Sequence, residues 1–376
     1  MSGIYIHIPY CKQACHYCDF HFSTSMKTKN EMIDCIVKEM DIRESEFSKK
    51  TDSVYIGGGT PSVMTNLELE TLFNGLEKKI SFDKIKEFTI EINPEDLVSE
   101  KLEFYKNIGI NRLSIGVQSM NNDVLKWMNR SHDVTQVING LNNAKDAGFE
   151  NISLDFIYGT PKDLNRDNKA ELLEILKFNP THLSCYHLTI EDGTYFGHLE
   201  EKRKLKIIED DISQKEFTWI SEKLKSENYR HYEISNFAIQ GKESFHNSNY
   251  WNQSAYIGLG PGAHSFRNST RRWNISNNRL YIKNMKAGIP YFEKEVLSTY
   301  DLVNEKIMLG LRTLNGFDKN HLLSIINEPM KDEIKIKINA FLKDKILISK
   351  NNIISMNPEK WLLSEYVSRE LFILNE

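Results

Sequence analysis

The sequence predicts an α/β fold in which a partial (β/α)6 barrel, similar to a TIM barrel, carries a smaller C-terminal α+β domain of winged-helix-like form. Short segments rich in β-branched and aromatic residues alternate with helical patterns, and this alternation occurs six times before residue 200. Polar or glycine residues follow each segment. Near residue 300 the sequence pattern changes from this alternation to helical segments with one hairpin. Such alternation is typical of a parallel sheet whose strands are joined by right-handed crossovers.

Each predicted strand is short and is bounded by Gly, Pro or polar residues. The six strands are residues 4–9, 53–58, 87–92, 112–118, 151–157 and 182–188. Helical periodicity predicts crossover helices over 30–46, 67–79 and 134–147. Six such repeats are fewer than the eight of a closed barrel, so a partial barrel and a doubly wound sheet are both compatible with the pattern.

Side chains that can bind a ligand follow every predicted strand. They are Cys11, the segment Gly57 to Thr60, Glu91 with Asn93, Gln118, Asp155, and Tyr186 with His187. In barrels the ligand lies at the carboxyl ends of the strands, whereas an open sheet usually gathers its ligand contacts at one switch point. Side chains that can bind a ligand at the ends of all six strands therefore favour the barrel.

We divide the chain into three predicted parts. They are a barrel with a cysteine loop over 1–200, an extension of the barrel over 201–298, and a C-terminal domain over 299–376. Residues 200–225 read as a charged segment followed by a helix. Residues 229–275 are rich in Gly, Asn and aromatic residues and show little periodicity, so we expect them to pack on the barrel or extend it.

The C-terminal domain combines helical patterns with one predicted hairpin. The helices are 302–314, 318–326, 331–343 and 359–373, and the strands are 346–349 and 353–356. The strands are separated by Lys350, Asn351 and Asn352, which is a hairpin signal. Helices beside a hairpin resemble a winged helix, but residues 318–376 are not strongly basic. We therefore expect a lid or a partner-docking role and no binding of nucleic acid.

Composition excludes several classes of protein. The chain has 376 residues, of which 40% are hydrophobic, and a formal net charge of −4. These values are typical of a globular protein and speak against bulk electrostatic binding of nucleic acid. No segment approaches the roughly 18 apolar residues of a membrane helix. The first residues read as a strand and not as a signal peptide, so we expect a cytoplasmic protein.

Three of the five cysteines, Cys11, Cys15 and Cys18, lie within eight residues of one another. An odd number of cysteines with this spacing is a poor disulfide framework, and reduced thiols that bind a metal or a cluster fit better. A [4Fe–4S] cluster and a structural zinc ion are the alternatives. Zinc usually takes four protein ligands, and the fourth would be His16, His21 or a distant residue.

The spacing CxxxCxxC after a first strand resembles the radical S-adenosylmethionine (SAM) superfamily. Further segments of the chain extend the resemblance to the branch that contains oxygen-independent coproporphyrinogen III oxidases and heme chaperones. They occur in order at 5–11, 57–62, 91–94, 116–119, 130–132, 154–161 and 258–264, and so cover most of residues 1–275. The fold implied by the resemblance is a partial (β/α)6 barrel, in agreement with the count of strands.

The resemblance implies a [4Fe–4S] cluster on Cys11, Cys15 and Cys18, with one iron left open to chelation by SAM. It also implies a set of SAM contacts at the ends of the strands. These contacts are Tyr5, Tyr17, Gly57, Gly58, Gly59, Thr60, Glu91, Gln118, Arg130 and Asp155. The glycine segment would cradle the methionine end, Arg130 would pair with the carboxylate, and Gln118 and Asp155 would hydrogen-bond the ribose hydroxyls or the amino group.

Within this branch, three features favour the heme chaperones. Phe20 stands where the decarboxylating oxidases have a further cysteine, and the first strand leaves no room for the N-terminal arm of the oxidases. Residues 246–251 match HNxxYW, a pattern associated with the chaperones and with heme binding. His246 is thus a candidate heme ligand and His264 a second candidate, while an ordinary loop held by an aromatic cluster is the alternative interpretation.

The resemblance therefore implies a heme chaperone that binds a [4Fe–4S] cluster, SAM and heme for delivery to hemoproteins. Expected recipients include membrane-bound respiratory proteins, with transient membrane association. We expect a monomer or a cluster-dependent dimer. The alternative function is an oxygen-independent coproporphyrinogen III oxidase, which decarboxylates its substrate oxidatively through radical chemistry.

Overall fold

A parallel sheet of six strands forms the centre of the structure, a computed structural model that describes residues 3–373 and every side chain among them except that of Pro329. The strands follow one another in chain order, each paired in parallel with the next. They are β1 (Gly3–Ile8), β2 (Ser53–Gly58), β3 (Glu87–Ile92), β4 (Arg112–Gln118), β5 (Asn151–Tyr158) and β6 (His182–His187). Six predicted strands are confirmed, because short β-branched segments that are buried on both faces leave little other choice.

Helices cover the outer face of this sheet. They are α1 (Lys29–Ile42), α2 (Asn66–Glu77), α3 (Ser99–Asn107), α4 (Asn122–Trp127), α5 (Val134–Asp146) and α6 (Asn168–Leu176). Each buries an apolar stripe against the strands, and α2 and α5 begin with capping boxes formed by Thr65 with Glu68 and by Asp133 with Gln136. The predicted helix over 30–46 ends early, at Ile42, where Arg43 turns inward to meet Glu39.

The segment after β6 extends the sheet at both of its edges. It contains α7 (Tyr195–Glu201), α8 (Asp210–Ser226), β7 (Arg230–Glu233), β8 (Asn236–Ala238), α9 (Phe245–Trp251), β9 (Tyr256–Leu259), β10 (His264–Arg267), β11 (Thr270–Asn274), α10 (Asn278–Ala287) and β12 (Phe292–Val296). The resulting order is β12-β11-β10-β9-β1-β2-β3-β4-β5-β6-β8-β7. The predicted partial barrel is confirmed, and β9 pairs in parallel with β1.

The C-terminal residues form helices around a three-stranded sheet. They are α11 (Thr299–Leu311), β13 (Phe317–Asp318), α12 (Lys319–Ile325), α13 (Glu328–Lys343), β14 (Leu347–Lys350), β15 (Ile353–Met356) and α14 (Ser364–Leu371). The hairpin turns at Asn351 and Asn352, which both have positive φ angles, of 51° and 66°. Backbone hydrogen bonds of Ile234 with Arg312 and of Leu314 with Tyr232 join this part to β7. Among residues 3–373, no helix is long and apolar enough to cross a membrane.

Candidate cofactor site at the carboxyl ends of the strands

A cavity of about 440 Å³ opens at the carboxyl ends of the central strands. It gathers most of the side chains that the sequence singles out. Those lining it are Cys11, Cys15, Tyr17, Cys18, Gly58, Gly59, Thr60, Glu91, Gln118, Arg130 and Asp155. Parallel strands bring these positions together because all their carboxyl ends lie at one rim of the barrel.

The cysteine loop, residues 11–18, is held from several sides. The Cys11 N–H donates to Ser23 O (3.1 Å), and the His16 N–H donates to Met128 O at the end of α4 (3.0 Å). Asn129 clamps the middle of the loop: its amide donates to Ala14 O (2.7 Å) and accepts from Gln13 (2.6 Å). Sequence reasoning missed this clamp, since a polar residue after a helix is too common a signal.

Hydrogen-bond donors point at two of the three cysteine sulfurs. The Thr60 hydroxyl donates to Cys11 Sγ and the Arg130 guanidinium to Cys15 Sγ, both over 3.3 Å. Burial raises the pKa of the Cys11 thiol to about 11 and that of Cys18 to about 12. Burial therefore favours the neutral thiol at Cys11 and Cys18, and a bound cation would favour their thiolates. The two donors suit the partial charge that a cluster leaves on its cysteine sulfurs.

The geometry bears on the choice between a cluster and a single zinc ion. Among the described residues, no group of three or more His, Cys, Asp or Glu side chains is placed to hold one metal ion. A structural zinc needs ligands that converge on one point. Cys11, Cys15 and Cys18 all line the one cavity, and in a [4Fe–4S] cluster each cysteine binds a different iron.

The glycine segment lets the chain pass close to the cysteine loop and to Glu91. A Cβ atom on Gly59 would lie 2.7 Å from Tyr10 O and 3.0 Å from Cys11 Sγ. Gly58 has a φ of 114°, and its N–H donates to Glu91 Oε2 over 3.0 Å. A larger residue at Gly59 would therefore push the cysteine loop away from the cavity, while a Cβ atom on Gly58 would lie 2.6 Å from His7 Nδ1.

Two carboxylates in the cavity titrate near neutral pH. Burial raises the pKa of Glu91 to about 7, an effect strengthened by the charge of Asp155 and opposed by a hydrogen bond from Tyr55. Burial likewise raises the pKa of Asp155 to about 6, opposed by a hydrogen bond from Ser184 and by nearby arginines. A cationic ligand such as an ammonium or sulfonium group would draw both toward the ionised form.

Arg130 ties the cysteine loop to the strand ends. Its Nη2 donates to Asn93 Oδ1 (2.8 Å) and Gly116 O (3.0 Å), while Nη1 also approaches the Tyr17 hydroxyl (3.4 Å). Its Nε is buried and has no hydrogen-bond partner among the described residues. Beside it, Gln118 adopts a φ of 65° at a register shift of β4, a strained conformation typical of ligand sites.

Three predicted site residues lie outside the lining of the cavity. Gly57 sits directly beneath it, and the Tyr5 hydroxyl hydrogen-bonds with His7 Nδ1 (3.0 Å). His246 lies at the opposite end of the barrel, with 1% of its surface exposed. Its Nδ1 hydrogen-bonds with Ser53 and its Nε2 with Tyr250, over 2.9 and 2.8 Å. With both nitrogens engaged and buried, His246 is not accessible to heme iron in this structure, which counts against the predicted ligand.

The second heme-ligand candidate has a different environment. His264 is exposed at the start of β10, where its ring stacks with that of Trp273 at a centroid distance of 6.2 Å. Phe20, the residue that replaces a cysteine of the oxidases, is 68% exposed and lines the cavity.

Comparisons with known proteins agree with this site. The sequence profile of the radical SAM superfamily matches residues 5–178. The heme chaperone HemW of Lactococcus lactis is 31% identical over 100% of this chain and 98% of that protein. HemW of Bacillus subtilis is 34% identical over 85% of each chain. The solved structure of coproporphyrinogen III oxidase (HemN) from Escherichia coli shares the fold, with a TM-score of 0.81 over 98% of this chain and 89% of that one, at 20% identity.

The fold, the three cysteines at the rim of the barrel and the profile match define a radical SAM protein. Sequence identity to HemW over the whole length of the chain narrows the assignment from the superfamily to one family. The chain belongs to the HemW family of heme chaperones within that superfamily, and the resemblance predicted from the sequence is confirmed.

Proposed function

We propose that the protein is a heme chaperone, which holds heme for delivery to hemoproteins and carries a [4Fe–4S] cluster and SAM in the cavity at the rim of the barrel. The observation that carries the proposal is the match of the entire chain to curated heme chaperones. Phe20 supports it, because an exposed phenyl group occupies the place where the oxidases have a cysteine.

The cavity supplies a partner for each part of the cofactor. Cys11, Cys15 and Cys18 would hold the cluster, which when bound supplies a low-potential electron. Glu91 in its ionised form accepts hydrogen bonds from an ammonium group, and Arg130 retains an unpartnered buried Nε for a carboxylate. The remaining proposed contacts line the cavity around these groups or lie just beneath it. They are Tyr5, Tyr17, Gly57, Gly58, Gly59, Thr60, Gln118 and Asp155.

We propose that His264, in preference to His246, would ligate the heme iron. Imidazole is a common ligand of heme iron, but it must present a free nitrogen at an accessible surface. His264 is exposed and lies beside an aromatic ring that can pack against a macrocycle, whereas both nitrogens of His246 are engaged. The proposed working compartment is the cytoplasm, and the proposed recipients include membrane-bound hemoproteins.

An anaerobic heme titration tests the proposal. We expect saturable binding of one heme per chain, with a Soret band that shifts and an affinity that falls in His264→Ala. The matched control is His321→Ala, which removes another exposed histidine, on α12. Absence of saturable heme binding in the wild-type protein would refute the chaperone function, whereas an unchanged spectrum in His264→Ala would refute the ligand alone.

A further inference from the structure

We propose that His246 is a positioning residue of the SAM site, acting through Tyr55 on Glu91 from the opposite end of the barrel. This inference rests on the proposed SAM site and gives the HNxxYW segment a role other than heme ligation. Three groups along the inner face of β2 carry it: Ser53, Tyr55 and Gly57.

The His246 ring is held firmly at the floor of the barrel, the end opposite the cavity. The Glu87 carboxylate accepts from the N–H groups of Phe245 (2.8 Å) and His246 (3.0 Å) and so pins the first turn of α9. Ser53 and Tyr250 engage the two ring nitrogens. A Cβ atom on Gly3 would lie 3.1 Å from the ring, so β1 packs directly against it. The ring therefore has one position, set by its neighbours.

From this position the ring supports Tyr55. The two rings stack with their centroids 5.1 Å apart and their planes inclined by 30°. Ser53 and Tyr55 are two residues apart on β2 and share the face that looks into the barrel. The hydrogen bond to Ser53 therefore sets the ring at the height at which it contacts Tyr55.

Tyr55 in turn holds the carboxylate of the cavity. Its hydroxyl donates to Glu91 Oε1 over 2.8 Å, while Oε2 accepts from the Gly58 N–H over 3.0 Å. A Cβ atom on Gly57 would lie 2.8 Å from the Tyr55 ring and 2.9 Å from Glu91 Oε1. The missing side chain of Gly57 thus makes room for the pair, and a displacement of Tyr55 changes a hydrogen bond of Glu91.

The hydrogen bond from Tyr55 also affects the proton affinity of Glu91. It lowers the pKa of Glu91, which burial has raised to about 7. The titratable and charged groups that face Glu91 from the surrounding elements are Tyr5, Cys11, Tyr55, Arg112, Asp155, Tyr186 and Tyr250. Since a protonated Glu91 no longer attracts an ammonium group, loss of the Tyr55 hydroxyl moves the pH below which SAM binding weakens to a higher value.

The barrel floor offers a matched control for His246. His182 is equally buried, and its Nδ1 and Nε2 hydrogen-bond with Ser153 (2.7 Å) and Tyr232 (2.8 Å), so it has the same kinds of partner. Its ring neighbour is Tyr232, which does not line the cavity. Replacement of either histidine by glutamine removes a buried ring, but only His246 stands beneath Glu91.

The test is the equilibrium affinity for SAM between pH 6 and 9, measured under anaerobic conditions on the cluster-loaded protein. Tyr55→Phe removes only a hydroxyl group, and we expect it to weaken binding about tenfold, the worth of one hydrogen bond to a charged group. His246→Gln should weaken binding severalfold, and both variants should move the pH midpoint of binding upward. His182→Gln should leave the affinity and the midpoint at wild-type values.

Heme titration of the same variants separates the competing roles. We expect heme binding by His246→Gln to equal that of the wild type. Loss of heme binding in His246→Gln with SAM binding unchanged would overturn the proposal, and so would equal effects of His246→Gln and His182→Gln on SAM binding. If His246→Gln fails to fold, an unchanged affinity and midpoint in Tyr55→Phe overturn it instead. Failure of the wild-type protein to bind SAM at any pH would refute the proposed cofactor site itself.

Discussion

At the scale of single residues, the cavity is built around sulfur atoms and the groups that donate to them. Thr60 reaches Cys11 and Arg130 reaches Cys15, each over 3.3 Å. Spacing in the sequence predicts the cysteines but not their donors, because a donor is identified by its position in space. The glycines illustrate the reverse case. Three consecutive glycines predict that the backbone passes close to another group, but the sequence does not identify that group. The structure shows that Gly59 lies against Cys11 and Gly57 against Glu91.

Removal of the Thr60 hydroxyl tests the role of these donors. Hydrogen bonds to the sulfurs of an iron–sulfur cluster stabilise its reduced, more negative form. We therefore expect Thr60→Val to move the reduction potential of the reconstituted cluster to a more negative value, measured by a redox titration followed by electron paramagnetic resonance. Thr60→Ser keeps the hydroxyl and should retain the wild-type potential. Equal potentials in Thr60→Val and wild type would show that this contact does not tune the cluster.

At the scale of secondary structure, the central strands follow from the sequence and the extension does not. Strands β2, β3 and β4 have the bounds that the sequence predicts, since each is a dense β-branched segment between turn signals. Strands β7 to β11 went unpredicted within 229–275. They are three to five residues long and are strands because a distant edge of the sheet pairs with them, as β1 pairs with β9. The local amino-acid composition does not predict pairing with a strand that is distant in the sequence.

One buried ion pair joins α1 to this extension. Glu39 is fully buried, pairs with Arg43 over 3.0 Å, and accepts hydrogen bonds from Gly260 N–H (2.9 Å), Asn274 (2.9 Å) and Tyr281 (2.6 Å). Glu39→Ala removes one of the two carboxylates that pair with buried Arg43, the other being Glu46, and leaves the buried Gly260 N–H and Tyr281 hydroxyl without their acceptor. We therefore expect a loss of about 3–5 kcal/mol in the free energy of unfolding.

Urea unfolding measures this loss, and the same helix provides the control. Glu31 pairs with Lys286 over 3.0 Å at the surface. Exposed pairs of this kind contribute about 1 kcal/mol or less, so Glu31→Ala should change little. Similar losses in the two variants would contradict a special role of Glu39 in joining the helix to the extension.

At the scale of the whole molecule, the two ends of the barrel have different tasks. The carboxyl ends of the strands form the cavity, while the HNxxYW segment closes the floor, where Trp251 lies under the Arg312 guanidinium at 5.4 Å. Resemblance of ordered motifs predicts the family and the cavity. It does not predict at which end of the barrel a motif lies. The burial of His246 at the floor of the barrel is therefore visible only in the structure.

Heme transfer and coproporphyrinogen III oxidation, the two activities of this branch, can be compared in one experiment. Cluster-loaded protein is incubated anaerobically with SAM and a reductant, either with coproporphyrinogen III or with bound heme and an apo-hemoprotein. We expect stoichiometric transfer of heme to the apo-hemoprotein and no protoporphyrinogen, while the oxidase from Escherichia coli serves as the positive control for turnover. Repeated turnover of coproporphyrinogen III to protoporphyrinogen, without heme transfer, would contradict this expectation.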